Sequence, residues 1–213
     1  MYYEYQTTAL SNDADGIFQD QTTAGADTLT LNGDLVSGGV ATAGEAAQIV
    51  VEGTGDNDEV NITFVGTDSN GFAISETFLL ADNNSATSTL AFKTITEAPT
   101  VDAAVDGNIE AGWLSSNPGY TKAFRVNGQH SSLNLGALVD VTGTIDIDLE
   151  VCLDPPQSFY ANSWVADASW VVYAMDGITA DTAKLVDIPC NGVRLKINSG
   201  TGTAKLRLLQ SNG

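Results

Sequence analysis

The stretch NITFVGTDSNGFAISETF, residues 61–78, decides the fold class. Two runs of alternating apolar and polar residues flank the segment DSNG at positions 68–71. Alternation with a period of two is typical of a strand that buries one face, and Asn-Gly supplies the positive φ angles of a tight turn. The stretch therefore predicts an antiparallel β-hairpin. Glu76 falls on the apolar face of the return strand, which indicates a bulge or a nearby sheet edge.

Short strands of similar pattern recur along the whole chain, and no apolar helical period of useful length interrupts them. The predicted strands cover residues 28–33, 46–53, 88–95, 107–113, 142–153, 169–175, 192–200 and 203–211. Such spacing is typical of antiparallel sandwiches. We therefore expect an all-β protein with two antiparallel β-sandwich or jelly-roll-like modules, an acidic one at 22–113 and a C-terminal one at 118–213. Residues 1–21 are predicted to form an extended N-terminal arm.

Alternation in the second module also predicts which side chains face solvent. In the strand 142–153, Asp146, Asp148 and Glu150 share one face, which we expect to be solvated. In the closing hairpin, alternation points four basic residues outward: Arg194, Lys196, Lys205 and Arg207.

Charge is abundant and unevenly divided. The 213 residues include 8 basic and 27 acidic ones, for a net charge of −19. Residues 1–113 contain one basic and 18 acidic residues, whereas residues 114–213 contain seven and nine. This balance argues against partners such as nucleic acid or anionic membranes, which need stripes of Lys and Arg. Two interpretations stay open: a near-neutral module that packs against partners beside a solvated acidic one, or two unrelated solvated surfaces.

Apolar runs, the N-terminal segment and the cysteines indicate the compartment and the redox state. No apolar run approaches the roughly 20 residues of a membrane span, and the N-terminus lacks the basic and apolar regions of a secretory signal. We therefore expect folding in the cytoplasm where the protein is made. Cys152 and Cys190 are too few for a disulfide framework, and we expect buried thiols. Their spacing leaves open whether they pair.

No motif predicts catalysis, a metal or a cofactor. His130 lies in a polar loop without a GxSxG motif. The carboxylates at 146, 148 and 150 offer acid/base chemistry on a glycan, but a solvated strand face is the preferred interpretation. The loop GTGDNDE at 53–59 is rich in oxygen ligands but lacks EF-hand spacing. We expect a protein that is not an enzyme and needs no cofactor.

Aromatic residues suggest contact surfaces. Tyr160 and Trp164 in the stretch 155–170 suit either a sugar-stacking platform or a subunit contact. Three tyrosines on the N-terminal arm either anchor on a neighbouring subunit or fray. With the four basic residues of the closing hairpin, the candidate contact residues are Tyr2, Tyr3, Tyr5, Tyr160, Trp164, Arg194, Lys196, Lys205 and Arg207.

Three pieces of the first module resemble a module common in virion proteins of tailed bacteriophages. They are QTTAGADTLTLNGDLVSGGVAT (21–42), QIVVEGTGDNDEVNITFVGTDSNGFAISETF (48–78) and FKTITEAPTVDAAVDGNIEAGW (92–113). The final stretch, GVRLKINSGTGTAKLRLLQSNG, is similar to the last hairpin of many phage structural proteins. Phe72 and Ala73 depart from a usually polar position, and Glu45 from a usually apolar or Asp one.

The resemblance implies a virion structural protein, most specifically a capsid decoration (cement) protein. Its partners would be the major capsid protein and sister subunits, expected as a homotrimer, with the C-terminal module and the arm on the shell. Alternatives are a tail, collar or head-tail completion protein, a carbohydrate-binding receptor module and, least favoured, a glycosidase-type enzyme.

Overall fold

The computed structural model describes residues 2–8, 13–57, 59–80, 85–114, 119–126, 135–153, 169–173 and 175–210. Within these ranges the chain forms 18 strands, every described ladder is antiparallel, and no helix occurs. The predicted all-β fold is therefore confirmed. The chain divides into two compact units. We call Leu10–Ser115 the acidic unit, and Met1–Ala9 together with Ser116–Gly213 the C-terminal unit.

Nine strands build the acidic unit. They are β2 (Asp13–Gln21), β3 (Asp27–Thr28), β4 (Val36–Ser37), β5 (Val40–Gly53), β6 (Asn61–Thr67), β7 (Ala73–Leu79), β8 (Ser85–Ile95), β9 (Thr100–Val101) and β10 (Ile109–Trp113). Pairing runs in the order β2-β10-β5-β8-β6-β7. The short β9 pairs with the other end of β6 and with β3, and β4 pairs with β5.

Four large aromatic side chains fill the core of the acidic unit. Phe18, Phe64, Phe92 and Trp113 are fully buried, and the rings of Phe18 and Phe64 stack at 6.4 Å. The Trp113 indole N–H donates to the Phe92 carbonyl at 3.0 Å, so its polar atom is satisfied inside the core.

The hairpin predicted at 61–78 forms as β6 and β7, in register from Asn61↔Leu79 to Thr67↔Ala73. The turn contains Gly71 at φ +85°, and the Asp68 carboxylate accepts the backbone N–H groups of residues 70 and 72 at 2.8 and 2.9 Å. Glu76 reaches across to β8, where its two oxygens accept the N–H groups of Thr89 and Leu90 at 2.7 and 2.8 Å. The pairing of β8 with β5 contains register shifts, and β8 has backbone N–H groups that bind the Glu76 carboxylate. These donors explain why a carboxylate lies on an apolar face.

The C-terminal unit is a sandwich of two sheets. Its strands are β1 (Tyr2–Thr8), β11 (Gly119–Tyr120), β12 (Phe124–Arg125), β13 (Leu135–Thr142), β14 (Ile145–Cys152), β15 (Trp170–Val172), β16 (Thr182–Val186), β17 (Gly192–Gly200) and β18 (Thr203–Gln210). One sheet has the order β1-β18-β13-β16, and the other pairs β15, β14 and β17, with β11 and β12 along β17. Both contribute to one apolar core, which includes Leu135, Val139, Ile147, Leu149, Val193, Leu195, Leu206 and Leu208.

The prediction of an extended arm at residues 1–21 is wrong. Strand β1 pairs with β18 along its whole length, from Tyr2↔Leu209 to Thr8↔Thr203, and β2 pairs with β10 in the acidic unit. The physical reason is alternation: Tyr3 and Tyr5 turn inward in β1 and pack on Phe124, with ring centroids 5.6 and 5.8 Å apart. Burying these two rings is more favourable in free energy than leaving them in water on a free arm.

Two strands are less than half as long as predicted. In the stretch 28–33 only the first residue belongs to β3, and the N–H of Leu29 donates to the Pro99 carbonyl at 2.8 Å. In the stretch 169–175, β15 covers Trp170–Val172. Apolar periodicity marks residues that become buried, but a loop that packs on the core produces the same signal.

Candidate functional site

The four basic residues of the closing hairpin separate onto two different surfaces. On β17, Arg194 and Lys196 lie directly opposite residues of β14. On β18, Lys205 and Arg207 lie on the outer face of the sheet β1-β18-β13-β16. The outward orientation predicted from alternation is right for the second pair and wrong for Arg194, which is buried.

Arg194 lies in a closed, aromatic-walled ion pair. Its Nε is 2.6 Å from a Glu150 carboxylate oxygen, and its guanidinium carbon lies 3.9 Å from the centre of the Tyr120 ring and 4.2 Å from that of Trp170. Burial lowers the pKa of Arg194, and the adjacent Glu150 opposes that effect. This buried ion pair, supported by two cation–π contacts, links β14 to β17. It is an internal contact of the unit and not part of an exposed binding surface.

Lys196, two residues further along β17, forms a second cross-strand ion pair. Its ammonium is 3.4 Å from the Asp148 carboxylate, which also accepts the N–H of Gly177 at 2.9 Å. Burial alone would raise the pKa of Asp148, but these hydrogen bonds outweigh burial and hold that pKa below its usual value. The predicted solvated face of β14 is therefore wrong at Asp148 and Glu150, which are both buried. On this face the Tyr120 and Trp170 rings lie over the guanidinium that pairs with Glu150.

A signal for this pairing was present in the sequence. The acids occupy alternate positions 148 and 150, and the bases occupy alternate positions 194 and 196. In antiparallel register Asp148 meets Lys196 and Glu150 meets Arg194 directly, so opposite charges at matching spacing predict the ladder.

The outer face of the other sheet carries an exposed charge network. Glu4 of β1 contacts Lys205 and Arg207 at 3.0 Å each, and Arg207 also contacts Asp140 of β13 at 2.8 Å. The Tyr2 hydroxyl donates to Glu4 at 2.6 Å. Hydrogen bonds from Tyr2, Lys205 and Arg207 lower the pKa of Glu4 to about 2. The network contains two acids and two bases, so this face is electrically balanced.

The aromatic candidates divide in the same way. Tyr3 and Tyr5 are committed to packing on Phe124, whereas Tyr2 is 58% exposed. Tyr160 and Trp164, the candidate sugar platform, lie outside the described residues, as does His130. Tyr2 is thus the aromatic candidate that the described surface presents to a partner.

Carboxylates of the acidic unit crowd one another instead of pairing with cations. Burial raises the pKa of Asp13, and the neighbouring Asp15 adds to the effect. Burial likewise raises the pKa of Glu110, with contributions from Asp20 and other nearby carboxylates. The one basic residue of this unit, Lys93, lies 3.7 Å from Glu45.

In its described part, the oxygen-rich loop at 53–59 is hydrogen-bonded to the backbone of Asp106. The Asn57 side chain is fully buried, accepts the Asp106 N–H at 2.9 Å and donates to the Asp106 carbonyl at 3.1 Å. Among the described residues no group of three or more His, Cys, Asp and Glu side chains is arranged to hold a metal ion.

Neither cysteine forms a disulfide, and both are buried. Cys190 belongs to the apolar core of the C-terminal unit, where burial and the nearby Cys152 raise its thiol pKa to about 11. Alternation along β14 puts Cys152 on the face of Glu150, opposite the core residue Val151. A buried thiol with a raised pKa is a poor nucleophile, which suits a structural role.

Comparisons with known proteins identify no family. No family model and no curated protein matches the chain. No helix in the described part of the chain is long and apolar enough to cross a membrane.

Among solved structures, three are weakly similar. Allantoicase from Saccharomyces cerevisiae is 12% identical, with 79% of this chain and 76% of that chain covered and a TM-score of 0.25. The PBSX exported protein XepA is 10% identical, with 97% and 86% covered and a TM-score of 0.24. A triple jelly-roll protein of an archaeal virus turret is 10% identical, with 99% and 59% covered and a TM-score of 0.22. Scores this low carry no inference about function.

Proposed function

We propose that the protein is a structural component of a tailed-bacteriophage virion, and specifically a capsid decoration protein. The proposal rests on the resemblance of residues 21–113 to a module of such virion proteins and on the all-β fold. It needs neither catalysis nor a cofactor.

The division of charge between the two units is the observation that carries the decoration role. The acidic unit contains one basic and 17 acidic residues, a net charge of −16, whereas the C-terminal unit contains seven and ten, a net charge of −3. In the C-terminal unit Arg194, Lys196, Lys205 and Arg207 each contact a carboxylate. A near-neutral unit approaches a protein surface at low electrostatic cost, and a polyanionic unit favours solvent.

In this role the C-terminal unit binds the assembled shell and the acidic unit faces the medium. Self-association, expected as a homotrimer, links several weak shell contacts, so the assembly attaches more firmly than a single copy would. An acidic outer layer also repels released nucleic acid.

Immunogold labelling of intact purified virions with an antibody to this chain tests the proposal. Gold spread over the head supports decoration. Gold confined to the tail or a vertex would overturn decoration while keeping a virion role, and the absence of both gold and peptides in virion mass spectrometry would overturn both.

Binding to the shell has its own test, in which purified protein is co-sedimented with expanded capsids that lack it. Saturable binding at many sites per capsid is expected. Deleting residues 1–8 is a poor variant for this purpose, because the deletion removes β1 and exposes the edge of β18. A capsid that binds none of the intact protein would exclude shell attachment.

A further inference from the structure

The outer face of the sheet β1-β18-β13-β16 presents an apolar row that crosses all four strands. Tyr2 lies opposite Leu209, Leu209 opposite Gly136, and Gly136 opposite Leu185. Tyr2, Leu209 and Leu185 are 58%, 62% and 54% exposed. Three large and mostly exposed apolar side chains therefore lie along one line on one sheet face, with Gly136 between two of them. We call these four residues the apolar row.

Among the described residues, neither a close contact nor a positive φ requires a glycine at position 136, in the middle of the row. Glycine weakens a strand interior and is normally tolerated there at a bulge, a positive φ or a close approach of another group. Strand β13 pairs with both neighbours without a register shift, and the φ of Gly136 is not positive. A Cβ added at Gly136 would meet only ordinary contacts, at 3.7 and 4.0 Å from Leu209. The residue instead leaves a hollow between Leu209 and Leu185, open to a group from outside.

The hollow and its neighbours are self-complementary. Consider a two-fold axis that lies in the interface, parallel to the strands and midway between β18 and β13. Because the sheet order is β1-β18-β13-β16, this axis places Leu209 of one copy over Gly136 of the other, and Tyr2 over Leu185. Stacked sheets in sandwiches align their strands in a similar way.

The charges on this face obey the same symmetry. Lys205 and Asp140 lie directly opposite each other on β18 and β13, so the two-fold axis places Lys205 of each copy over Asp140 of the other. In the row between, Arg207 meets Leu138 and Glu4 meets Ala183, so no like charges face one another. Because the chain has a net charge of −19, two copies that met through other parts of their surfaces would repel each other.

We propose that this face binds a second copy of the chain in a two-fold arrangement, with each Leu209 seated in the hollow at Gly136 of its partner. A two-fold contact is isologous, so every favourable pair occurs twice. The proposal does not depend on the virion role, and a pair of copies differs from the homotrimer expected above, so molar mass separates the two.

Sedimentation of the full chain over a hundredfold concentration range, compared with Gly136→Val, tests the interface. The wild type is expected at twice the chain mass of 22.2 kDa. Gly136→Val fills the hollow, so self-association should weaken by at least about thirtyfold. The thermal midpoint of the monomer should stay equal or rise, because a β-branched residue suits a strand. That second readout separates a blocked interface from a damaged fold.

Two further variants complete the experiment. Leu209→Ser removes the protruding side chain at an exposed position and should also give a monomer, which keeps the test valid if Gly136→Val fails to fold. Ala73→Val, which adds the same kind of side chain to an exposed position of β7, should leave the mass unchanged. A wild type that is monomeric or trimeric, or a Leu209→Ser variant that dimerises as tightly as the wild type, would overturn the proposal.

Discussion

The two units accommodate acidic side chains by different means. In the C-terminal unit carboxylates meet cations across strands, as Glu150 meets Arg194 and Asp148 meets Lys196. In the acidic unit, which has one basic residue, carboxylates accept hydrogen bonds from N–H groups, as Glu76 does from two backbone amides and Asp102 from the backbone and side chain of Asn61. A carboxylate can therefore be built into a strand-rich unit without a cation, provided that oriented N–H donors are available.

The largest effect is expected from breaking the buried pair. Glu150→Gln leaves the Arg194 guanidinium buried without its counter-charge, which should reduce the free energy of unfolding of the C-terminal unit by about 3 kcal/mol. Urea unfolding followed by hydrogen exchange of β14 and β17 amides measures this loss. Glu97→Gln, at an exposed position of the acidic unit, is the control and should change stability by less than about 0.5 kcal/mol. Equal effects of the two substitutions would contradict a structural role for the pair.

A smaller effect is expected in the acidic unit from Glu76→Gln. An amide can accept only one of the two β8 amides that the carboxylate accepts, and its NH₂ group faces the other donor, so we expect a loss of about 1.5 kcal/mol. Hydrogen exchange at Thr89 and Leu90 should accelerate relative to the rest of β8. Unchanged exchange at these two amides would show that the carboxylate is not their acceptor in solution.

Acidification to about pH 4.5 should stabilise the acidic unit and leave the C-terminal unit nearly unchanged. The pKa values of Asp13 and Glu110 are raised, so the folded acidic unit takes up protons before the unfolded chain does and gains stability as the pH falls toward their ordinary values of 3.8 and 4.5. The lowered pKa of Asp148 has the reverse effect, so its contribution to the C-terminal unit is lost only below pH 3.8.

Urea unfolding resolved by unit, at pH 7 and again near pH 4.5, measures this divergence. Each raised carboxyl should contribute a few tenths of a kcal/mol, roughly the scale of surface electrostatics. Asp13→Asn should raise the stability of the acidic unit at pH 7 and diminish the gain on acidification. Destabilisation of the acidic unit between these two pH values would be inconsistent with carboxylate crowding.

The smallest change in stability is expected from Glu4→Gln, because the network it joins is exposed and solvent screens it. The informative measurement is the titration of the Glu4 carboxyl by NMR. Its midpoint should lie at about 2 and should rise in Arg207→Gln, since the Arg207 hydrogen bond is one cause of the lowered pKa. A midpoint near 4.5 in the wild type would mean that the network does not persist in solution.

Local pattern predicted some elements and misplaced others for an identifiable reason. Strands β6, β7, β8, β14, β17 and β18 follow alternating runs bounded by turn residues. Inward-facing and outward-facing side chains alternate equally well in β1. Whether a terminal segment pairs as a strand or stays in solvent depends, however, on whether a free sheet edge lies within its reach. That edge, on β18, is about 200 residues away in sequence. No local signal reports it.

By itself the sequence determined the strand periodicity, the hairpin turns and the uneven charge, because these depend on neighbouring residues and on composition. Tertiary structure decided which charges became buried partners and which stayed on the surface. Arg194 and Arg207 follow the same alternation, but the Tyr120 and Trp170 rings cover Arg194, while Arg207 stays partly exposed. Burial depends on what packs over a strand, and that is a property of chain segments brought together from far apart.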